Sequence, residues 1–290
     1  MITALRCAGL GHRYGRKVWG LRDCDLEVPA GRVAALVGPN GSGKTTLMSM
    51  AAGLLPASAG RVEAAGGTPA QRLDRIGFVA QDAPLWPRLR VADVLAIGLC
   101  MNRGFDAAMA SQRIGRLGVR PRARISALSG GARAQVALTL VLAKKPELFL
   151  LDEPTANLDP LARREFLGSM FEACSETGAT VLYSSHAVAE LERICDYLIV
   201  LRSGHLRLAG DIDELRQQHR VICGPDGWPG GGGWQVISQR SMAGRTTALV
   251  RCDGAHLAGP GLQDALPTFD ELVLGYLERD AATLPEEALA

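Results

Sequence analysis

Val33-Ala34-Ala35-Leu36-Val37 is a short, unbroken apolar run, and it leads without a spacer into Gly38-Pro39-Asn40-Gly41-Ser42-Gly43-Lys44-Thr45-Thr46. No other feature constrains the chain as much. An apolar run of this length without alternation is the pattern of a strand buried on both faces of a sheet. The residues after it match Gly-x-x-x-x-Gly-Lys-Thr, and a helix is predicted from Lys44 to about Leu54, with Pro56 and Gly60 ending the unit. Glycines let successive backbone N–H groups turn toward an anion with no Cβ in the way. The helix start adds unpaired amides and the positive end of its dipole. Lys44 offers a point charge to β- and γ-phosphates, and the Thr45 hydroxyl can ligate Mg²⁺.

The rest of the chain is organised around that unit. Cys24, Leu26 and Val28 give one apolar face before the turn at Pro29-Ala30-Gly31, and Ile76 to Ala80 reads as another short strand. From about 82 to 130 the texture becomes helical, with helices predicted over Val91–Met101 and Asp106–Leu117. Strand signals return at Leu148–Leu151, Thr180–Tyr183 and Leu198–Leu201. Strands alternating with helices predict an α/β fold whose central sheet is largely parallel. Past residue 216 the pattern changes again. A glycine-rich stretch at 224–233 reads as a loop tip or hinge, Val236-Ile237 and Ala248–Val250 as short strands, and Phe269 to Leu277 as an amphipathic helix. The expected division is therefore a domain over 1–216, with its helical subdomain at about 82–130, and a small accessory domain over 217–290.

Leu148-Phe149-Leu150-Leu151-Asp152-Glu153 is a buried strand that ends in two acids. Charges are costly inside a sheet, so both belong at its carboxyl end, beside the crevice where open α/β sheets bind ligands. Asp152 there can hold Mg²⁺, and Glu153, aimed differently, can polarise an attacking water. Composition narrows the partners. The charge balance is +2, from 32 basic and 30 acidic residues, and no basic tail is present, so nucleic acid is not expected. Seven scattered cysteines form no C-x-x-C pair, which suits a reducing compartment better than a disulfide scaffold. No signal peptide is predicted. The apolar run Val136–Ala143 is about half of the ~20 residues a membrane span needs. If the chain serves a membrane, another polypeptide must supply the spans.

Leu128-Ser129-Gly130-Gly131-Ala132 lies shortly before the acidic strand and is followed by a helical run from Arg133 to Ala143, with Pro146 beyond it. With this second glycine motif, residues of about 2–215 resemble the ATP-binding subunits of ABC transporters. The resemblance implies a P-loop NTPase core of the ABC type, with an antiparallel β subdomain and a helical subdomain. It implies ATP and Mg²⁺ as ligands, with Gly38, Pro39, Asn40, Gly41, Ser42, Gly43, Lys44, Thr45 and Thr46 around the phosphates. Tyr14 stands where the family's aromatic stacks on adenine, and Gln81 where its glutamine senses Mg²⁺ and faces the membrane partner. Glu153 and His186 stand in the catalytic and switch positions. Thr45, Gln81 and Asp152 are the metal residues, and Asn157-Leu158-Asp159 is the loop that crosses a dimer interface.

In the family two such domains meet head to tail, so Ser129, Gly130 and Gly131 would cap the ATP held by the other copy. Two departures stand out: Ala132 where glutamine is common, and Gln135 where a basic residue is usual. Weaker polar contacts around the nucleotide are expected from them, not loss of hydrolysis.

The resemblance implies an ATPase that powers a separately encoded transmembrane permease from the inner face of the cell membrane. Phe269–Leu277 resembles the closing helix of bacterial exporter ATPases of drug, antibiotic or multidrug type, which implies export; packing on its own domain is the other reading of the same pattern. A soluble ABC-type ATPase acting on a ribosome, DNA or an assembly partner is the alternative. A single ATP-binding domain and the lack of sustained heptads weigh against it. The presence of Glu153 and His186 weighs against a nucleotide sensor that does not hydrolyse.

Overall fold

The computed structural model describes residues 2–81, 84–156, 158–185, 188–226, 234–252 and 262–278. Two long strands open the chain, β1 (Thr3–Tyr14) and β2 (Val18–Pro29), before the buried β3 (Val33–Val37) delivers the glycine loop to α1 (Lys44–Ala51). Helix α1 stops short of the predicted Leu54 because Gly53 takes φ 74, a left-handed value that ends the helix. β4 (Ala59–Ala64) pairs antiparallel with β1, giving a three-stranded sheet of order β2-β1-β4. β5 (Ile76–Val79) then enters the main sheet, and α2 (Val91–Met101), α3 (Ala107–Arg116) and α4 (Gly130–Ala143) follow. These helices share a small core of Val91, Val94, Ile114, Ile125 and Val136.

β6 (Leu148–Asp152), α5 (Pro160–Thr177), β7 (Thr180–Ser184), α6 (Val188–Ile194), β8 (Tyr197–Arg202) and β9 (His205–Asp211) complete the central layer. The sheet order is β5-β6-β7-β3-β8-β9, with only β9 antiparallel. All five residues of β6 and of β7 are buried, as the unbroken apolar runs required. Register places Ser184 of β7 level with Leu36 of β3 and with Asp152 of β6. The glycine loop and the two acids therefore leave the sheet at the same edge. Helix α5 is capped at both ends: Asp159 accepts from the Leu161 and Ala162 amides, Pro160 takes the first turn, and Gly178 closes it with φ 67.

The chain ends with α7 (Ile212–Gln217), β10 (His219–Pro225), β11 (Gln235–Met242), β12 (Arg245–Arg251), β13 (Gln263–Ala265) and α8 (Phe269–Glu278). The four strands form a sheet of order β11-β12-β10-β13, more extensive than the two short strands expected there. Helix α8 buries Phe269, Leu272, Val273 and Tyr276 in the same apolar cluster as β3, β7 and β8. The buried His219 ties it to β10, with Nε2 2.8 Å from the Tyr276 hydroxyl and Nδ1 2.7 Å from the Leu215 carbonyl. Residues 227–233, most of the expected glycine-rich hinge, lie outside the described residues. Among those described, no helix is long and apolar enough to cross a membrane.

Candidate nucleotide site

Gly43 caps α1 with φ 105 and ψ 4, and among the described residues no side-chain cap bonds the amides of the first turn. Those donors stay open to an anion. The loop is drawn tight against its surroundings: a Cβ on Gly38 would lie 2.3 Å from the Leu201 carbonyl oxygen, and one on Gly43 2.5 Å from that of Gly20. Lys44 is buried, and its Nζ donates to the carbonyls of Gly38 at 2.8 Å and Pro39 at 3.3 Å. The same ammonium lies 3.6 Å from Glu153 Oε1. A positive charge is thus held over the loop, facing a carboxylate across the crevice. Among the described residues the buried Ser42 hydroxyl has no hydrogen-bond partner. An orphaned donor in a ring of amides suits a phosphate oxygen.

Asp152 is the last residue of β6 and Glu153 the first beyond it, both buried. Glu153 has φ 47, a left-handed value that costs a non-glycine residue on the order of 1–3 kcal/mol. Its amide is held by Ser184, from the hydroxyl at 2.9 Å and the carbonyl at 3.2 Å, and Ala156 donates to its carbonyl at 3.1 Å. The Ser184 hydroxyl in turn donates to Asp152 Oδ1 at 2.8 Å. The two successive acids point to different tasks because this turn rotates one from the other. Oxygen ligands alone, as Asp152, Thr45 and Gln81 provide, are the set a hard cation such as Mg²⁺ takes.

The other expected residues fall as follows. Tyr14 is half-exposed beside α1, its hydroxyl 3.1 Å from Thr46 Oγ1 and its ring against Gly20. Thr45 is exposed in the first turn of α1. Gln81 is exposed just past β5, at the same edge of the sheet. Pro39, Asn40 and Gly41 form the outer rim of the loop. Ser129 caps α4, its hydroxyl accepting from the Ala132 amide at 3.1 Å, and Gly130 and Gly131 open that helix. Helix α4 packs on α2, α3, α5 and β5. Among the described residues no hydrogen bond or ion pair joins Ser129–Gly131 to Gly38–Thr46. His186 and Asn157 lie outside the described residues, and Asp159 serves as the cap of α5.

Three contacts have no counterpart in the sequence reading. The Ser184 bridge is one; in the sequence Ser184 is no more than the first of two serines that follow Thr180–Tyr183. Thr155 Oγ1 lies 2.9 Å from the buried Tyr183 hydroxyl, whose pKa burial pushes up to about 12. Gln135, in place of a basic residue, accepts from Arg113 of α3 at 2.7 Å. A basic group therefore meets α4 from the neighbouring helix, and burial draws that guanidinium's pKa down.

Comparison with known proteins bears on this geometry. Residues 21–156 match the family described as ABC transporter, and a shorter stretch, 129–192, matches an AAA domain family. The chain is 39% identical over 204 residues to the aliphatic sulfonates import ATP-binding protein SsuB 2 of Xanthomonas axonopodis pv. citri, covering 70% of this chain and 69% of the relative. It is 37% identical over 198 residues to the thiamine import ATP-binding protein ThiQ of Jannaschia, covering 65% and 86%. Among solved structures, one described as the ATP-binding subunit of an ABC transporter superposes with a TM-score of 0.67 at 28% identity, over 74% of this chain and 93% of the other. A dimeric ATP-binding cassette with ADP and Pi bound, 22% identical, shares the fold with a TM-score of 0.64, over 72% and 98%.

Proposed function

Because this chain belongs to the ATP-binding subunits of ABC transporters, and is an ATPase of that kind, we propose that it drives transport through a separately encoded membrane protein. The observation that carries the catalytic part is the buried pair of Lys44 and Glu153 across the open start of α1. In this reading the loop amides, the Ser42 hydroxyl and Lys44 hold the β- and γ-phosphates, and Tyr14 stacks on adenine. Thr45, Asp152 and Gln81 would hold Mg²⁺, which when bound neutralises charge on the transferring phosphoryl group. Glu153 orients the attacking water and accepts its proton, and His186 contacts the γ-phosphate. Among the described residues Ser129–Gly131 make no hydrogen bond or ion pair with the loop of their own chain, and in this reading the same residues of a second copy cap the ATP. Glu153→Gln should cut turnover by on the order of 10²–10⁴-fold while ATP still binds. Near-normal hydrolysis by that variant would sink the reading.

The membrane partner is assigned to a cleft of about 1150 Å³ between the helical part and the sheet, where Leu54, Leu73, Trp86 and Met101 are exposed. An exposed apolar cluster of this kind suits a cytoplasmic segment of the permease. Such docking would keep the chain at the inner face of the membrane. A tagged chain should copurify from detergent-solubilised membranes with a polytopic protein, and Trp86→Asp should lose it. Exclusive recovery with ribosomes or DNA favours a soluble ABC-type ATPase instead. On direction, the named relatives are import proteins and favour import over the export expected from Phe269–Leu277, a helix that packs on its own chain. Uptake measured in right-side-out against inverted vesicles decides between the two. Residues 217–290 are read as an accessory unit that α8 anchors to the ATPase core.

A further inference from the structure

We propose that Ser184 is a positioning residue for hydrolysis: one hydroxyl from β7 sets the two acids at the end of β6 in their working relation. The inference rests on the reading above, in which Asp152 and Glu153 carry the chemistry. Strand β7 lies between β3 and β6, and its last residue is level with both. A serine there faces the end of β6 from the side, with Oγ donating to Asp152 Oδ1 at 2.8 Å and accepting from the Glu153 amide at 2.9 Å. A hydroxyl has one proton and two lone pairs, so both bonds are made at once without competition. They run in one direction, from the Glu153 N–H through the serine oxygen to the Asp152 carboxylate, and each polarises the other.

Burial makes this arrangement hard to replace. Ser184 is 0% exposed, Asp152 2% and Glu153 8%, so no bulk water stands by to take over either bond. Glu153 also sits at φ 47, a conformation its own backbone does not favour. An apolar residue at 184 would take away the 2.9 Å bond from the Glu153 amide and keep the longer one, 3.2 Å, to the backbone carbonyl of that position. The turn would then relax toward common backbone angles, and the carboxylate would leave its place opposite Lys44. A misplacement near 1 Å in a catalytic group costs roughly 10²-fold in rate.

The test compares Ser184→Val with Ser184→Thr in the full-length chain, because the two side chains have one shape and differ in the hydroxyl. Ser184→Ala guards against crowding by the added methyl. Ser184→Val and Ser184→Ala should lower kcat about 10–100-fold with KM for ATP within about twofold, and Ser184→Thr should recover most of the loss. Hydrogen exchange in the nucleotide-free protein gives a second readout, independent of turnover. The peptide containing the Glu153 amide should exchange about tenfold faster in the Val and Ala variants than in wild type. Equal kcat in the Thr and Val variants would overturn the inference, as would unchanged exchange alongside a fall in kcat. Glu153→Gln is measured in parallel. If it is inactive while Ser184→Val and Ser184→Ala turn over normally, only the role of Ser184 fails; if it is active, the hydrolytic reading itself fails.

Discussion

Gly43→Ala is the substitution whose cost the geometry defines best. Gly43 sits at φ 105, where any L-residue is strained on the order of 1–3 kcal/mol. The added Cβ would also lie 2.5 Å from the Gly20 carbonyl oxygen and 3.2 Å from Leu21 Cδ1. The closer obstacle is backbone of β2, held on either side by the pairing of Trp19 with Arg13 and of Leu21 with His12 in β1. Overpacking of that kind adds about 1–3 kcal/mol. The total is about 2–6 kcal/mol, concentrated at the loop that holds the phosphates. Gly41→Ala supplies the control, since Gly41 has φ 76 but nothing within 4 Å of the place its Cβ would take. It should carry the conformational strain alone. At about 2–4 °C per kcal/mol for a domain near this size, Gly43→Ala should melt roughly 2–12 °C below Gly41→Ala. Circular dichroism melts of both variants measure the gap, and a fluorescent ATP analogue reports binding, which Gly43→Ala should lose. Equal melting points, or a more stable Gly43→Ala, would refute the steric argument.

Tyr14→Ala should weaken ATP binding about 2–10-fold, the range expected from losing one aromatic stacking partner; calorimetric titration showing unchanged affinity assigns Tyr14 to packing on Gly20 alone. Burial lowers the pKa of His219 from 6.5, with the Arg251 charge acting in the same direction and the Leu215 carbonyl opposing both. The native state therefore binds fewer protons there than the unfolded chain, so this residue's stabilisation is complete above pH 6.5 and is lost as pH falls through the lowered value. Urea unfolding at pH 7 and pH 5 should show a larger acid loss in wild type than in His219→Gln, and equal losses contradict the assignment.

The phosphate loop, β3, β6 and β7 were readable in the sequence because strands covered on both faces are unbroken apolar runs, and glycine and proline punctuate their ends. β1 was not. It is bulged at several points against β2, so its burial never settles into a two-residue period. Helix α5 escapes a periodicity reading for another reason: it fully buries only Phe166, Met170 and Cys174, and partly buried or exposed apolar residues such as Leu161, Leu167 and Phe171 spread around it and blur the stripe. Sequence motifs also named Lys44, Asp152 and Glu153, but not the hydroxyl that joins the two acids. Ser184 and Asp152 are far apart in the chain, and only the register of β6 against β7 brings them level. Gln135 illustrates the same limit. Read along α4 it is a departure from the family's pattern, whereas across to α3 it is the partner of Arg113.

If Gly38–Thr46 are half of a site whose other half is Ser129–Gly131 of a second copy, ATP should join two chains into one particle. The most direct test is the mass of Glu153→Gln by light scattering, without nucleotide and with saturating Mg-ATP. The single chain has a mass of 30.8 kDa, and it should shift to twice that, about 62 kDa, only when ATP is present. Ser129→Arg in the same background should abolish the shift while leaving ATP binding in place. A single-chain mass with ATP bound, or a dimer that survives Ser129→Arg, would contradict it.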